Sequence, residues 1–276
     1  MKKIFGLIIL LVQISCAKPP QDNVTLKIQY QPEKTYNQTV ERTTNTMIKY
    51  KGSAKSLQIL KKRGLQNPTI SNKKSQSEWV LKTGKLIDET DFPVKVEYMI
   101  TISDDGQKEI PVKANLSGKF LRDHLPVFDA VVSEGLDEKH KMALLQSLQN
   151  TFTQLSFPEK KVKIGEQITI ENPTSMPMEG STIEMVVTTN YQLISISEGI
   201  AQFDISQKYT MNPKLSDNSF NGSVTGKGHL VYDIANTIVL NYNLDTEMDI
   251  TKKLDSFEFE LKTNSEIIQK TKISKD

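Results

Sequence analysis

Thiol chemistry is almost absent from this chain: of 276 residues only Cys16 is a cysteine. A disulfide framework and a thiolate metal site are thereby excluded. Histidine is nearly as scarce, and His124, His140 and His229 show none of the spacing that sets two imidazoles on one metal. His140, between Lys139 and Lys141, reads as a surface residue, and His229 in "GKGHLVYD" as a strand residue. No G-x-S-x-G or P-loop is present; Gly222, Gly226 and Gly228 in "GSVTGKG" read instead as close packing or a bulge where a long strand bends. "SDDGQ", with Asp104, Asp105 and Gly106, lacks the spaced oxygens of a calcium loop and reads as a hairpin turn between Ile102 and Ile110. Aromatics make up 7% and Trp79 is the only tryptophan, too few for a sugar-stacking platform. No catalytic residue, metal or cofactor is therefore expected, and a hydrolytic enzyme is the weakest functional reading.

A long apolar run is also missing. The longest, Ile4 to Val12 behind Met1, Lys2 and Lys3, has the length of a secretory signal's core and falls short of the roughly 20 residues of a membrane span. Immediately after it, Ile14, Ser15, Cys16 and Ala17 form a stretch that resembles the processing box of bacterial lipoproteins, with Gln13 departing from the Leu usual there. The resemblance implies cleavage before Cys16, a diacylglyceryl thioether on its sulfur and a further acyl chain on its amine. Two or more chains hold a protein firmly to a membrane where one gives only marginal binding. Residues 1–15 are thus expected to be a signal peptide and 16–23, "CAKPPQDN", a lipidated tether. Removing Lys2 and Lys3 from the 35 basic residues leaves 33 against 33 acidic, and so neutral a body does not suit nucleic acid.

From Val24 onward, apolar and polar residues alternate. Val24, Leu26, Ile28 and Tyr30 share one face, as do Val94, Val96, Tyr98, Ile100 and Ile102. The pattern strengthens through Ile183–Leu193, Ala201–Tyr209, Ile238–Ile250 and Phe257–Leu261. Long, one-faced strands predict a mainly β fold: antiparallel strands in a curved meander, sandwich or open barrel. One helix is expected over about 134–155, where Met142, Leu145, Leu148, Phe152 and Leu155 form an apolar stripe that must pack on the sheet. Ser133 or Asp137 can cap it. Residues 24–276 are read as a single β-rich domain, or as two halves, 24–132 and 156–276, joined by that helix.

Two stretches differ in composition. Lys49 to Lys74 holds eight basic residues (Lys49, Lys51, Lys55, Lys61, Lys62, Arg63, Lys73, Lys74) and no acid; it reads as a solvated loop, or as a surface for anionic head groups. "ENPTSMPMEG", with Pro173, Met176, Pro177 and Met178, reads as a loop whose apolar tip covers the core or lines a ligand entrance.

The body resembles uncharacterised lipoproteins of Gram-negative bacteria, typical of Bacteroidota, that share a domain of unknown function. The features are "PEKTYNQTVERTT", "FPEKKVKIGEQITIE" with Phe157, Pro158, Val162 and Gly165, and "GKGHLVYDIANTIVLNYNLD" with Gly226, Gly228, Tyr232 and Asp233. In architecture it is similar to periplasmic half-barrels that carry lipids or lipoproteins. These resemblances imply an anchored envelope protein, with the residues after Cys16 favouring the periplasmic face of the outer membrane. They imply one of two functions: binding a lipid-like or acylated ligand in an apolar β cavity, or acting as an interaction and assembly module with a filled core. The partners expected are the membrane, through Cys16, and a hydrophobic ligand or another envelope protein.

Overall fold

The computed structural model describes residues 22–104, 110–121, 126–133, 136–154, 159–178, 181–211, 220–253 and 256–275. Cys16, His124 and Leu155 lie outside them. The strands, in chain order, are β1 (Asn23–Leu26), β2 (Lys34–Gly52), β3 (Thr69–Thr83), β4 (Phe92–Asp104), β5 (Ile110–Phe120), β6 (Pro126–Val132), β7 (Lys160–Lys163), β8 (Gln167–Met178), β9 (Ser181–Ser197), β10 (Ile200–Met211), β11 (Phe220–Asp233), β12 (Ile238–Lys253) and β13 (Phe257–Lys275). Helix α1 (Ala54–Lys62) lies between β2 and β3, and α2 (Glu138–Gln154) between β6 and β7.

Eleven strands form one antiparallel sheet in the order β6-β5-β4-β3-β2-β13-β12-β11-β10-β9-β8. Two meanders are thereby joined where the last strand pairs with the second, Lys34 opposite Lys275 and Gly52 opposite Phe257. The sheet ends at β6 and β8 and is not closed into a barrel. β1 and β7 form a separate two-stranded ribbon, Val24 opposite Val162.

Register assigns the faces. Tyr36 on β2 opposes Leu81, which opposes Val96, which opposes Leu116, and all four are buried. On the other arm Leu244 opposes Gly228, which opposes Ile205, which opposes Tyr191. At the lower end of this inner face, α2 covers one arm through Leu144 and Leu145, packed on a cluster that includes Trp79, Phe92, Phe120 and Phe128. The β1–β7 ribbon covers the other, with Val24, Leu26 and Val162 against Leu193, Phe203 and Tyr232. Each such side chain contributes about 1.5–3 kcal/mol on burial, so these two clusters dominate the stability of the fold. Tyr232 also ties the ribbon down, its hydroxyl donating to the Lys27 carbonyl at 2.6 Å.

A third cluster sits farther up: Met185, Val224 and Ile250, with Tyr209, Met248 and Leu261 against them. All six are strand residues of the large sheet, so the sheet's own curvature buries them. Glycine makes that curvature possible. A Cβ on Gly228 would fall 2.0 Å from the Asn243 carbonyl oxygen, and one on Gly222 2.2 Å from that of Asp249. The close-packing expectation for "GSVTGKG" holds for this reason.

The structure corrects three sequence-based expectations. Residues 49–74 are not a solvated loop but the end of β2, the helix α1 and the start of β3. "NPTSMPM" is strand rather than loop: β8 pairs with β9 as far as Met178 opposite Ser181. Its prolines are tolerated because β8 is an edge strand, where a missing N–H breaks no ladder on the free side. In α2, Met142 of the expected stripe is 63% exposed; Leu145 of that stripe does pack on the sheet, joined by Leu144, and the side chains of Leu148 and Phe152 lie outside the described ones. Asp137 caps this helix as expected, accepting from the His140 N–H at 2.9 Å. The Ile102–Ile110 hairpin also holds, with the two residues directly opposite.

Candidate functional site

Two regions of the fold could carry function: the interior of the curved sheet and its upper rim. The interior is the natural place for an apolar ligand. At its base lies a small cavity lined by Tyr30, Tyr36, Gln38, Trp79, Ile238 and Thr271, with a volume of about 10 Å³. That is room for about one water, against the several hundred Å³ of an ordinary ligand pocket. Its lining is mostly apolar, with Ile28, Leu81 and Val239 beside the polar groups of Gln38 and Thr271. Trp79 Nε1 donates to Gln38 Oε1. The buried Thr271 hydroxyl has no partner among the described residues, so a single water here would satisfy it.

Above the base, three tyrosines of the β8–β12 arm lie near one another. Burial pushes the Tyr191 phenol up to about 12. Tyr242 is raised by burial first and then by the neighbouring Tyr191 and Tyr209 phenols, so the three side chains converge from β9, β12 and β10. Burial also raises Tyr209, while the Arg42 guanidinium opposes that shift. Arg42 stands on β2, and three strands, β13, β12 and β11, separate it from β10. Hydrogen bonds knit this level: Tyr209 donates to Gln207 at 3.1 Å, and Gln207 to Thr189 at 3.0 Å. Across the middle of the sheet, Thr44 bonds Ser265 at 3.3 Å and Thr46 bonds Thr263 at 3.4 Å. The arrangement is that of a polar, self-satisfied interior layer between two apolar clusters.

The upper rim is built differently. At the end of β2, Gly52 lets α1 start close to the sheet: a Cβ there would lie 2.9 Å from the Ser256 carbonyl oxygen and 3.5 Å from Ser56 Cβ. Ser53 caps α1, its hydroxyl accepting from the Ser56 N–H at 3.1 Å. The helix stops at Gly64 with φ +76°, where Leu65 N–H donates to the Leu60 carbonyl and Gly64 N–H to that of Lys61, both at 3.1 Å. This is a Schellman closure, and Lys61 and Lys62 in the last turn suit the helix dipole. Asn67 then fixes the return to β3, accepting from the Tyr50 N–H and donating to the Tyr50 carbonyl, each at 2.8 Å. A nine-residue helix is marginal alone, so these caps and its buried Leu60 are what hold it.

An open groove of about 390 Å³ adjoins α1, lined by Lys51, Gly52, Lys253, Ser256, Phe257 and Glu258. Lys51 pairs with Glu258 at 3.5 Å and with Glu260, which raise its pKa, the Glu260 hydrogen bond most. Lys55, Lys61, Lys62 and Arg63 are exposed, with no acidic partner among the described residues. Beside them Ile59 is 43% and Leu65 47% exposed.

The two described histidines stay apart. His229 pairs with Asp204 at 2.7 Å on the exposed face of β11 and β10, and His140 with its own cap residue Asp137 at 2.7 Å. Among the described residues no group of three or more His, Cys, Asp or Glu could hold a metal. The sequence pattern flags the cations of the rim but not the helix that presents them. A scan against models of known protein families finds no match, and neither does a search of curated proteins.

Proposed function

We propose that the chain is a lipid-anchored cell-envelope protein that works through its surface, as an interaction or assembly module, with the α1 rim as the working end. The observation that carries this reading is the contrast between interior and rim. The small base cavity holds about 10 Å³, whereas the rim presents an open, shallow surface beside Phe257, exposed aliphatic side chains and cations with no acidic partner among the described residues. The anchor would be Cys16, in keeping with the leader of residues 1–15, and the membrane the outer membrane on its periplasmic side. Geometry suits a tether: Asp22, the first residue of the body, is held by its carbonyl accepting from Ile164 N–H at 2.9 Å, beside the β1–β7 ribbon at the base. β2 then runs 19 residues to the rim, about 60 Å along the strand.

Testing this needs a photo-crosslinking amino acid placed at Ile59 of the full chain in its own cells, with the same residue at Glu247 on the exposed face of β12 as control. Crosslinks from Ile59 to an envelope component, and none from Glu247, are expected; equal or absent crosslinking at Ile59 would overturn the reading. Labelled palmitate should enter the wild type and not Cys16→Ala.

A second reading, an acylated or lipid-like ligand, is favoured by one feature. Tyr50, Phe257 and Phe259 gather at the groove, with ring centroids 6.2 Å and 5.6 Å from Tyr50, and could grip an acyl chain there.

A further inference from the structure

We propose that α1 and the turn after it form a docking surface for an anionic lipid bilayer, which names the partner of the rim and so rests on the reading that the rim is the working end. Ile59 is the centre of the surface. On a helix its neighbours are the residues three and four away, and these are Lys55, Ser56, Lys62 and Arg63. An exposed aliphatic side chain is thus flanked by three exposed cations, while Lys61, two positions on, points to the other side of the helix. Leu65, just past Gly64, adds a second exposed aliphatic group. The opposite side of the helix is already committed: Leu60 is buried and Leu57 half-buried. The exposed side is therefore not a core face left open; capping at both ends holds it outward.

The chemistry selects lipid over an acidic protein. Cations alone would serve an acidic partner, whereas aliphatic side chains set among Lys and Arg suit the boundary between phosphate head groups and acyl chains. Among the described residues, the acids near the rim do not cancel the charge. Glu258 and Glu260 are held by Lys51, while Lys253 and Lys49 add to the basic side. Each cation near an anionic surface strengthens binding roughly fivefold, so Lys55, Lys62 and Arg63 are enough for a specific effect.

The test uses residues 22–276, which contain both sheets, both helices and all three core clusters and lack any acyl chain or leader. Sedimentation with vesicles of phosphatidylglycerol and phosphatidylcholine is compared with vesicles of phosphatidylcholine alone, across a range of salt. Wild type is expected to bind the anionic vesicles, less so as salt rises, and to leave the neutral ones. Replacing Lys55, Lys62 and Arg63 together by Glu should weaken binding more than tenfold. Ile59→Ser with Leu65→Ser should weaken it several-fold with the charge intact. Circular dichroism should show both variants folded. No preference for anionic vesicles, or no loss in the charge variant, would overturn the proposal. That failure is distinct from failure of the rim reading, because a protein partner would still be captured by the crosslinker at Ile59.

Discussion

Gly228→Ala tests how the sheet achieves its curvature. The added methyl would sit 2.0 Å from the Asn243 carbonyl oxygen and 3.0 Å from Leu244 Cα, both backbone atoms of the next strand. Ordinary contact needs more than 3 Å, so β11 and β12 must separate by about 1 Å or the strand must lose its bend. Overpacking typically costs about 1–3 kcal/mol, and with backbone as the obstacle the upper end or beyond is expected. Gly226 is the internal control. There the nearest atom is Gln207 Cβ at 3.2 Å, on a side chain able to give by a few tenths of an ångström, so Gly226→Ala should cost less than about 1 kcal/mol. Urea unfolding followed by far-ultraviolet circular dichroism measures both. If Gly228→Ala proves no more destabilising than Gly226→Ala, steric closeness at β11 is not what shapes the sheet.

Two further perturbations probe the core and the clamp at its base. Ile250 is fully buried in the upper cluster, so Ile250→Ala should cost about 2–5 kcal/mol, whereas Met142→Ala on the exposed side of α2 should cost almost nothing; urea midpoints separate the two. Tyr232→Phe removes the hydroxyl that bonds Lys27 and should cost about 1 kcal/mol. Burial pushes the Tyr232 phenol from 10.0 up to about 12. A phenol raised on folding favours the folded state fully below pH 10, and that contribution is lost as pH climbs to about 12. Wild-type unfolding midpoints should therefore fall steeply over that window and those of Tyr232→Phe less steeply; parallel profiles would contradict the assignment.

Much of the fold was legible because its inner face is apolar at both ends of long strands. Val94 to Ile102 and Ile238 to Ile250 announce themselves by alternation, and the α2 region by its three-and-four spacing and the cap at Asp137. The middle of the sheet was not legible. Thr44, Thr46, Thr263 and Ser265 face inward and bond one another, so hydrophobic period two stops partway along β2 and β13 although the strands continue for 19 residues each. Pairing with both neighbours extends them, and pairing is not written in a single strand. α1 escaped because nine residues give its amphipathic spacing little more than two turns to repeat within a run of cations; its caps, Ser53 and Gly64, were the readable clue. β8 escaped because Pro173 and Pro177 argue against a strand until its edge position is known.

The rim's cations were conspicuous from composition, but their meaning depends on which of them acids neutralise. Only the fold shows that Lys51 is held by β13 glutamates while Lys55, Lys61, Lys62 and Arg63 have no acidic partner among the described residues.

A protein that works through its outside encloses no ligand, and mass spectrometry of the organic extract of purified residues 22–276 addresses that most directly. A filled interior requires that no lipid co-purify in stoichiometric amount and that added fatty acid leave the unfolding midpoint unchanged. About one extracted amphiphile per chain, retained through purification, would contradict it and establish the sheet as a carrier.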